Sequence, residues 1–179
     1  MKKKKFNKIA RKKLFTILFF LIKFNLLAIP LYLIIRFDIS FPSLQIFLAK
    51  VLHSMFKISG YHAIRDGYYI ALLSDNTIRT IAIDMDCTGW KSLYALFALV
   101  LATPLKKNKS KLNFLAFALP TLFFINIFRI YLTVTFCHII GFQYLDIIHN
   151  LFWREGLILV IIILWYWWLR KEKYNISYI

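Results

Sequence analysis

Cysteine is scarce in this chain of 179 residues: only Cys87 and Cys137 occur, far apart and with no C-x-x-C pair. That spacing gives no support to a structural zinc site or a dithiol redox motif, and it leaves a disulfide between the two open. Acidic residues are few as well, 8 against 24 lysines and arginines, for a formal charge of +16. Glycine and proline number only 5 and 4. No linker-like or low-complexity stretch divides the chain, apart from its lysine-rich start, and no internal repeat is visible. His53, His62 and His138 make no metal-ligand spacing with any cysteine or acid, and neither a metal nor a cofactor is expected.

What is abundant is apolar surface. Hydrophobic residues make up 60% of the chain and its mean hydropathy is +0.64, above the roughly half-apolar composition of a soluble domain. Lipid is therefore the expected solvent. Each crossing of the hydrocarbon core takes roughly 20 residues, so the length allows a single domain of about four spans and no soluble second domain. The basic residues cluster against the apolar runs instead of interleaving with aromatics along a soluble face, which points to membrane orientation and away from nucleic acid.

The pattern predicts an all-α polytopic membrane protein with about four transmembrane helices, an interfacial helix and a small extracytoplasmic β-hairpin. Residues 1–13 form a basic tail. The apolar run from about Leu14 to Ile35 follows it without a convincing small-residue cleavage site and is read as a retained first span. Phe41 to Phe56 places Phe41, Leu44, Leu48, Val51, Leu52 and Met55 at three- and four-residue steps, as an interfacial helix does. Tyr68 to Ala71 and Thr77 to Ile83, separated by Ser74-Asp75-Asn76, read as a hairpin. Gly89 to Leu105 is the second span. Leu112 to about Cys137 is the third, with Pro120 expected to bend it or loosen its hydrogen-bond ladder. Ile148 to Leu169 is the fourth and ends in the interfacial aromatics Trp165, Tyr166, Trp167 and Trp168.

Basic short loops stay cytoplasmic. The N-terminal tail, the loop holding Lys106, Lys107, Lys109 and Lys111, and the C-terminal tail all meet that description. Both termini are then inside, residues 36–86 form an extracytoplasmic insertion, and 87–169 form the helix core. Seven of the eight acids fall on or near the outer side, leaving only Glu172 within. In this orientation Cys87 stands at the outer end of the second span. Arg129, 17 residues up the third from Leu112, lies about 25 Å from the cytoplasmic boundary at 1.5 Å per residue. His149 opens the fourth span from the same side.

A cysteine at a helix start meets the positive end of the macrodipole and unpaired N–H groups, which favour thiolate; the bland alternative is one more small buried hydrophobe. Cys137 lacks that setting and is read as a buried hydrophobe. Arg129 is an ionisable group in an apolar helix, which costs roughly 2.5–3.5 kcal/mol at a span's centre and normally serves a function, although an arginine snorkelling to outer headgroups is the competing reading. Asn126, one turn earlier on the same face, is placed to hold the guanidinium. His149 is a candidate general acid or base. Arg154 either pairs with Glu155 or supplies a second cation near the thiol. Asp84 and Asp86 oppose ionisation of Cys87 and are candidates for ordering the loop or capping the helix.

Asp86-Cys87-Thr88-Gly89-Trp90 opening one span, Asn126-Ile127-Phe128-Arg129 late in the next, and His149-Asn150 opening the last together resemble the exosortase/archaeosortase family of membrane transpeptidases, over Cys87 to about Gly156. The resemblance implies Cys87 as nucleophile, Arg129 as the group that activates the thiolate or stabilises the oxyanion, and His149 as general acid/base, with Thr88, Gly89, Asn126 and Arg154 as binding residues. The implied substrates are membrane proteins with a C-terminal recognition motif, a single transmembrane helix and a basic tail, transferred to a membrane lipid or surface acceptor. A non-enzymatic membrane scaffold or lipid-binding assembly factor, with Cys87 inert, is the alternative. A four-span thiol oxidoreductase would need the C-x-x-C pair that is absent.

Overall fold

A computed structural model describes residues 2–74, 77–105, 108–141 and 145–177, and the side chains of 11–73, 78–105, 108–141 and 156–172. Its elements run α1 (Lys2–Arg36), α2 (Pro42–Ile58), β1 (Ala63–Asp66), β2 (Tyr69–Ser74), β3 (Thr77–Ala82), a 3-10 turn (Met85–Thr88), α3 (Trp90–Ala102), α4 (Asn108–Ile140) and α5 (Leu145–Ser177). Among the described residues two helices are long and apolar enough to cross a membrane, 11–36 within α1 and the whole of α4.

The α1 helix carries Pro30 without a break. Pro30 leaves the Leu26 carbonyl without its usual N–H partner, and beside it the Tyr94 hydroxyl of α3 donates to the Leu27 carbonyl at 2.7 Å. Past Arg36 the chain turns through Asp38 in a left-handed conformation (φ 50°), while Ile39 N–H donates to the Ile34 carbonyl at 3.1 Å, the closing bond of a Schellman motif. Pro120 likewise lies inside an α4 that continues through it.

Three expectations need correction. The apolar stripe of α2 does not face lipid: Leu48, Leu52 and Phe56 are buried in one cluster with Ile70, Leu72 and Ile83 of the sheet region and Ile127, Ile130 and Val134 of α4. A three- and four-residue apolar stripe is satisfied equally by a bilayer or by a sheet laid across it, and here the sheet takes it. The hairpin of β2 and β3 is present, with Ser74 opposite Thr77, although its turn at 75–76 lies outside the described residues. A third strand, β1, joins it antiparallel to β2. Its two-residue connection places Gly67 at φ 55°, as a tight hairpin loop with glycine first requires. Lastly, α3 has 13 residues, about 20 Å at 1.5 Å per residue, and is shorter than the full span expected over Gly89 to Leu105.

Two apolar clusters are stacked along α4. One holds α2, the sheet and residues 127–134. The other joins Leu96 and Val100 of α3, Phe114, Leu115, Ala118 and Leu122 of α4, and Leu157, Ile161 and Trp168 of α5. Asn126 sits in the seam between them and is 2% exposed.

Candidate active site

The site is built at that seam. Ile83 ends the sheet region, and Cys87 N–H donates to the Asp84 carbonyl at 3.0 Å, forming the 3-10 turn. Thr88 is fully buried; its hydroxyl donates to the Met85 carbonyl at 2.7 Å and accepts from Trp90 N–H at 3.4 Å. It thereby closes the turn and takes up the first N–H of α3, one of the donors a helix start leaves unpaired. Gly89 between them adopts φ 72°. A Cβ there would stand 2.8 Å from Asn126 Cγ, so glycine is required both by the left-handed backbone and by the approach of α4.

Asn126 uses that approach. Its Nδ2 donates to the Cys87 carbonyl at 2.9 Å, and its Oδ1 accepts from Arg129 Nη2 at 2.9 Å. The buried amide therefore ties the cysteine's own main chain to the guanidinium. Arg129 also lines a cleft of about 440 Å³ with Asp86, Gly89, Lys91, Ser92 and apolar residues of α1, α3 and α5. At its mouth Lys91 Nζ pairs with an Asp86 carboxylate oxygen at 2.7 Å, with both side chains well exposed, so the pair contributes little stability.

The structure thus brings together Cys87, Thr88, Gly89, Asn126 and Arg129. His149 and Arg154 fall in α5, with their side chains outside the described residues; Leu157 and Ile161 bring α5 to the cleft. Cys137 is buried in α4, and both cysteines are free thiols. Lys91 and Ser92 escaped the sequence reading, although a lysine one residue into an apolar helix, on the acid-rich side of the chain, was the available signal. Among the described residues no three His, Cys, Asp or Glu side chains cluster as metal ligands would.

One electrostatic expectation is reversed. Burial pushes the Cys87 thiol up to about 11, the Asp84 and Asp86 carboxylates add to the rise, and a hydrogen bond from the Asp84 backbone together with Arg129 only partly opposes it. The reason is local: Cys87 is not the first residue of α3 but sits in a half-buried turn set off from it by Gly89, so removal from water outweighs the helix terminus.

A free thiol whose main-chain carbonyl is held by a buried amide, with that amide in turn held by a guanidinium lining a cleft between apolar helices, is the arrangement these elements build. Residues 9–168 match the family of transmembrane exosortases. The chain belongs to that family, and the match reaches well beyond the motif-bearing stretch from Cys87 to Gly156, taking in α2 and the sheet. No curated protein and no solved structure matches it.

Proposed function

We propose that this protein is a membrane-bound cysteine transpeptidase that cleaves a C-terminal sorting signal and passes the product to an acceptor. Family membership supports the class. The observation that carries the site assignment is the hydrogen-bonded line from Arg129 through Asn126 to the Cys87 carbonyl beside an open cleft. In this reading the chain crosses the membrane four times with both termini cytoplasmic, and the Cys87 turn and sheet lie on the extracytoplasmic side. The substrate is a membrane protein ending in a motif, one transmembrane helix and a basic tail.

The raised thiol assigns an order to the chemistry. Cys87 rests protonated, so a base must take its proton as Sγ attacks the scissile carbonyl carbon, and His149 fills that role. The carbonyl oxygen becomes an oxyanion that Arg129 stabilises. His149 then protonates the departing amine nitrogen, the C–N bond breaks, and a thioester to Cys87 remains. An acceptor amine or water, giving its proton to His149, attacks the thioester carbonyl and Sγ leaves to regain the proton. Thr88 supports the turn, and Arg154 is assigned to substrate binding by the family resemblance alone.

A second reading, a membrane scaffold with an inert thiol, is favoured by one observation, the burial that raises Cys87. The two separate on one measurement. With a tagged reporter carrying such a tail, taken from the same genome and co-expressed with the chain, Cys87→Ala is expected to abolish processing, and a thioester adduct at Cys87 is expected by mass spectrometry of the wild type. Full processing by Cys87→Ala would remove the transpeptidase reading.

A further inference from the structure

The sheet has two outer edges, and the fold treats them differently. Leu73 donates its N–H to the His62 carbonyl and Ile83 donates to the Tyr68 carbonyl, both at 3.0 Å. Ile64 faces Ala71, which faces Thr80. The antiparallel alternation then turns the N–H and C=O of Ala63 and Arg65 to the outer edge of β1, and those of Ile78, Thr80 and Ala82 to the outer edge of β3. The β1 edge is engaged at one point, beside α2: His53 donates from Nε2 to the Ala63 carbonyl at 3.2 Å. Along β3 no described residue bonds to the outward groups of Ile78, Thr80 or Ala82, and Ile78 and Thr80 are exposed.

Open strand edges are normally blunted by proline, a bulge or a covering element. β3, reading Thr-Ile-Arg-Thr-Ile-Ala, carries no proline and pairs without a bulge, and its one charged residue, Arg79, stands opposite Leu72 in the register and not among the three whose main chain faces outward. On the sheet face turned away from α2 nothing in the described chain covers Ile78 of β3 (69% exposed), Leu73 opposite it on β2 (50%) or, two strands over, Ile64 of β1 (74%). The strand also leads somewhere, since only Ile83, Asp84, Met85 and Asp86 stand between its end and Cys87.

We infer that the outer edge of β3 is the docking strand for the substrate polypeptide, which adds to the sheet as a fourth, extended strand and is led along β3 to the Cys87 turn. This rests on the reading of Cys87 as a nucleophile acting on a polypeptide. Main-chain pairing with Ile78, Thr80 and Ala82 recognises any extended backbone, and every second substrate side chain packs on the exposed apolar face, which is where selectivity enters. The arrangement also explains why a membrane protein of this size holds a sheet at the site. A strand presents a scissile peptide extended, with its carbonyls accessible, whereas a helical segment would keep them bonded to itself.

The test uses the full chain in membranes with the tagged reporter described above. In a Cys87→Ala background, Thr80→Cys is paired with single cysteines walked through the reporter segment that precedes its membrane helix. Disulfides at alternate reporter positions are expected. Disulfides at every position alike, none at all, or pairing only between two Thr80→Cys copies of this chain would overturn the inference, the last by assigning the edge to a homodimer. In the chain with Cys87 intact, Thr80→Pro removes an outward N–H without touching the ladder to β2 and is expected to lower processing at least tenfold. Arg65→Pro, on the far edge, is expected to stay within twofold of wild type. Processing by Thr80→Pro at the wild-type rate would overturn the inference even if Cys87 is the nucleophile, while failure of the catalytic reading would show separately as processing by Cys87→Ala.

Discussion

At both ends of α3 a polar side chain of α4 crosses to main-chain carbonyls. Near the start of α3, Asn126 holds the Cys87 carbonyl. Past its end, Lys111 Nζ donates to the Leu101 carbonyl at 3.1 Å and the Thr103 carbonyl at 2.6 Å. Lys111 is 6% exposed, and around it Thr103 Oγ1 donates to the Leu99 carbonyl and accepts from Trp165 Nε1 at 3.0 Å. The two fastenings are 15 residues apart on α4, about 22 Å at 1.5 Å per residue, less than the roughly 30 Å of a hydrocarbon core. The Lys111 end satisfies the last carbonyls of α3, a requirement of any buried helix terminus. The Asn126 end meets the same kind of need but adds a thiol, a guanidinium and a cleft. A buried polar link between helices is thus a fastening by default, and the proposed function rests on the thiol and the opening found near one of the two.

The largest expected break in that comparison is Asn126→Ala. It frees the Cys87 carbonyl and removes a partner of Arg129, so both reacting groups lose their alignment. A misplacement of about 1 Å costs on the order of 100-fold in rate, and the loss is expected in kcat with KM little changed, because the proposed docking strand lies elsewhere. Measured on reporter processing per folded molecule, a fall shared equally between kcat and KM would assign Asn126 to binding instead.

The second prediction concerns the thiol itself. Because burial disfavours the charged form, Cys87 at about 11 stands above the ordinary value of 9.0, and a smaller fraction is thiolate at any neutral pH. Alkylation by a charged, membrane-impermeant reagent is therefore expected to run roughly a hundredfold slower than for a free thiol, rising about tenfold per pH unit towards 11. A plateau near pH 7 would mean that the guanidinium prevails over burial.

Lys111→Met tests the other fastening. Leaving two buried carbonyls without their cation is expected to destabilise the protein by about 2–3 kcal/mol, read as earlier thermal unfolding in detergent, while processing per folded molecule stays within twofold. A large loss of rate in the folded fraction would merge the two ends into one functional unit.

The two ends also differ in how far the sequence disclosed them. Arg129 and Asn126 were legible because a charge and an amide one turn apart in an apolar helix are costly enough to draw notice, and Cys87 was legible by its place before a span. Lys111 looked like one of several loop lysines, since its burial depends on where α3 stops, and composition does not reveal that α3 is only 13 residues long. The raised thiol was misjudged for a similar reason. The helix-terminus argument is local, whereas desolvation depends on α4 closing over the turn through Gly89. The β2–β3 pair was visible in its β-prone runs, while β1, four residues long, is too short to show a period, and the Asp66-Gly67 turn was its available mark.

The smallest effect expected is that of Trp165→Phe. The indole stacks on Phe20 of α1 with centroids 6.3 Å apart, and a phenyl ring keeps that contact while losing only the N–H donated to Thr103. Thr103 retains its own bond to the Leu99 carbonyl, so no buried acceptor is stranded and the cost should be about 1 kcal/mol. Combination with other changes carries the information. Lys111→Met and Trp165→Phe share Thr103, so their effects on unfolding should couple by at least 0.5 kcal/mol or so, whereas Asn126→Ala and Trp165→Phe, acting at opposite ends of α3, should add. Coupling of the second pair would show that α3 transmits strain between its ends, and the fastening below would then belong to the site above.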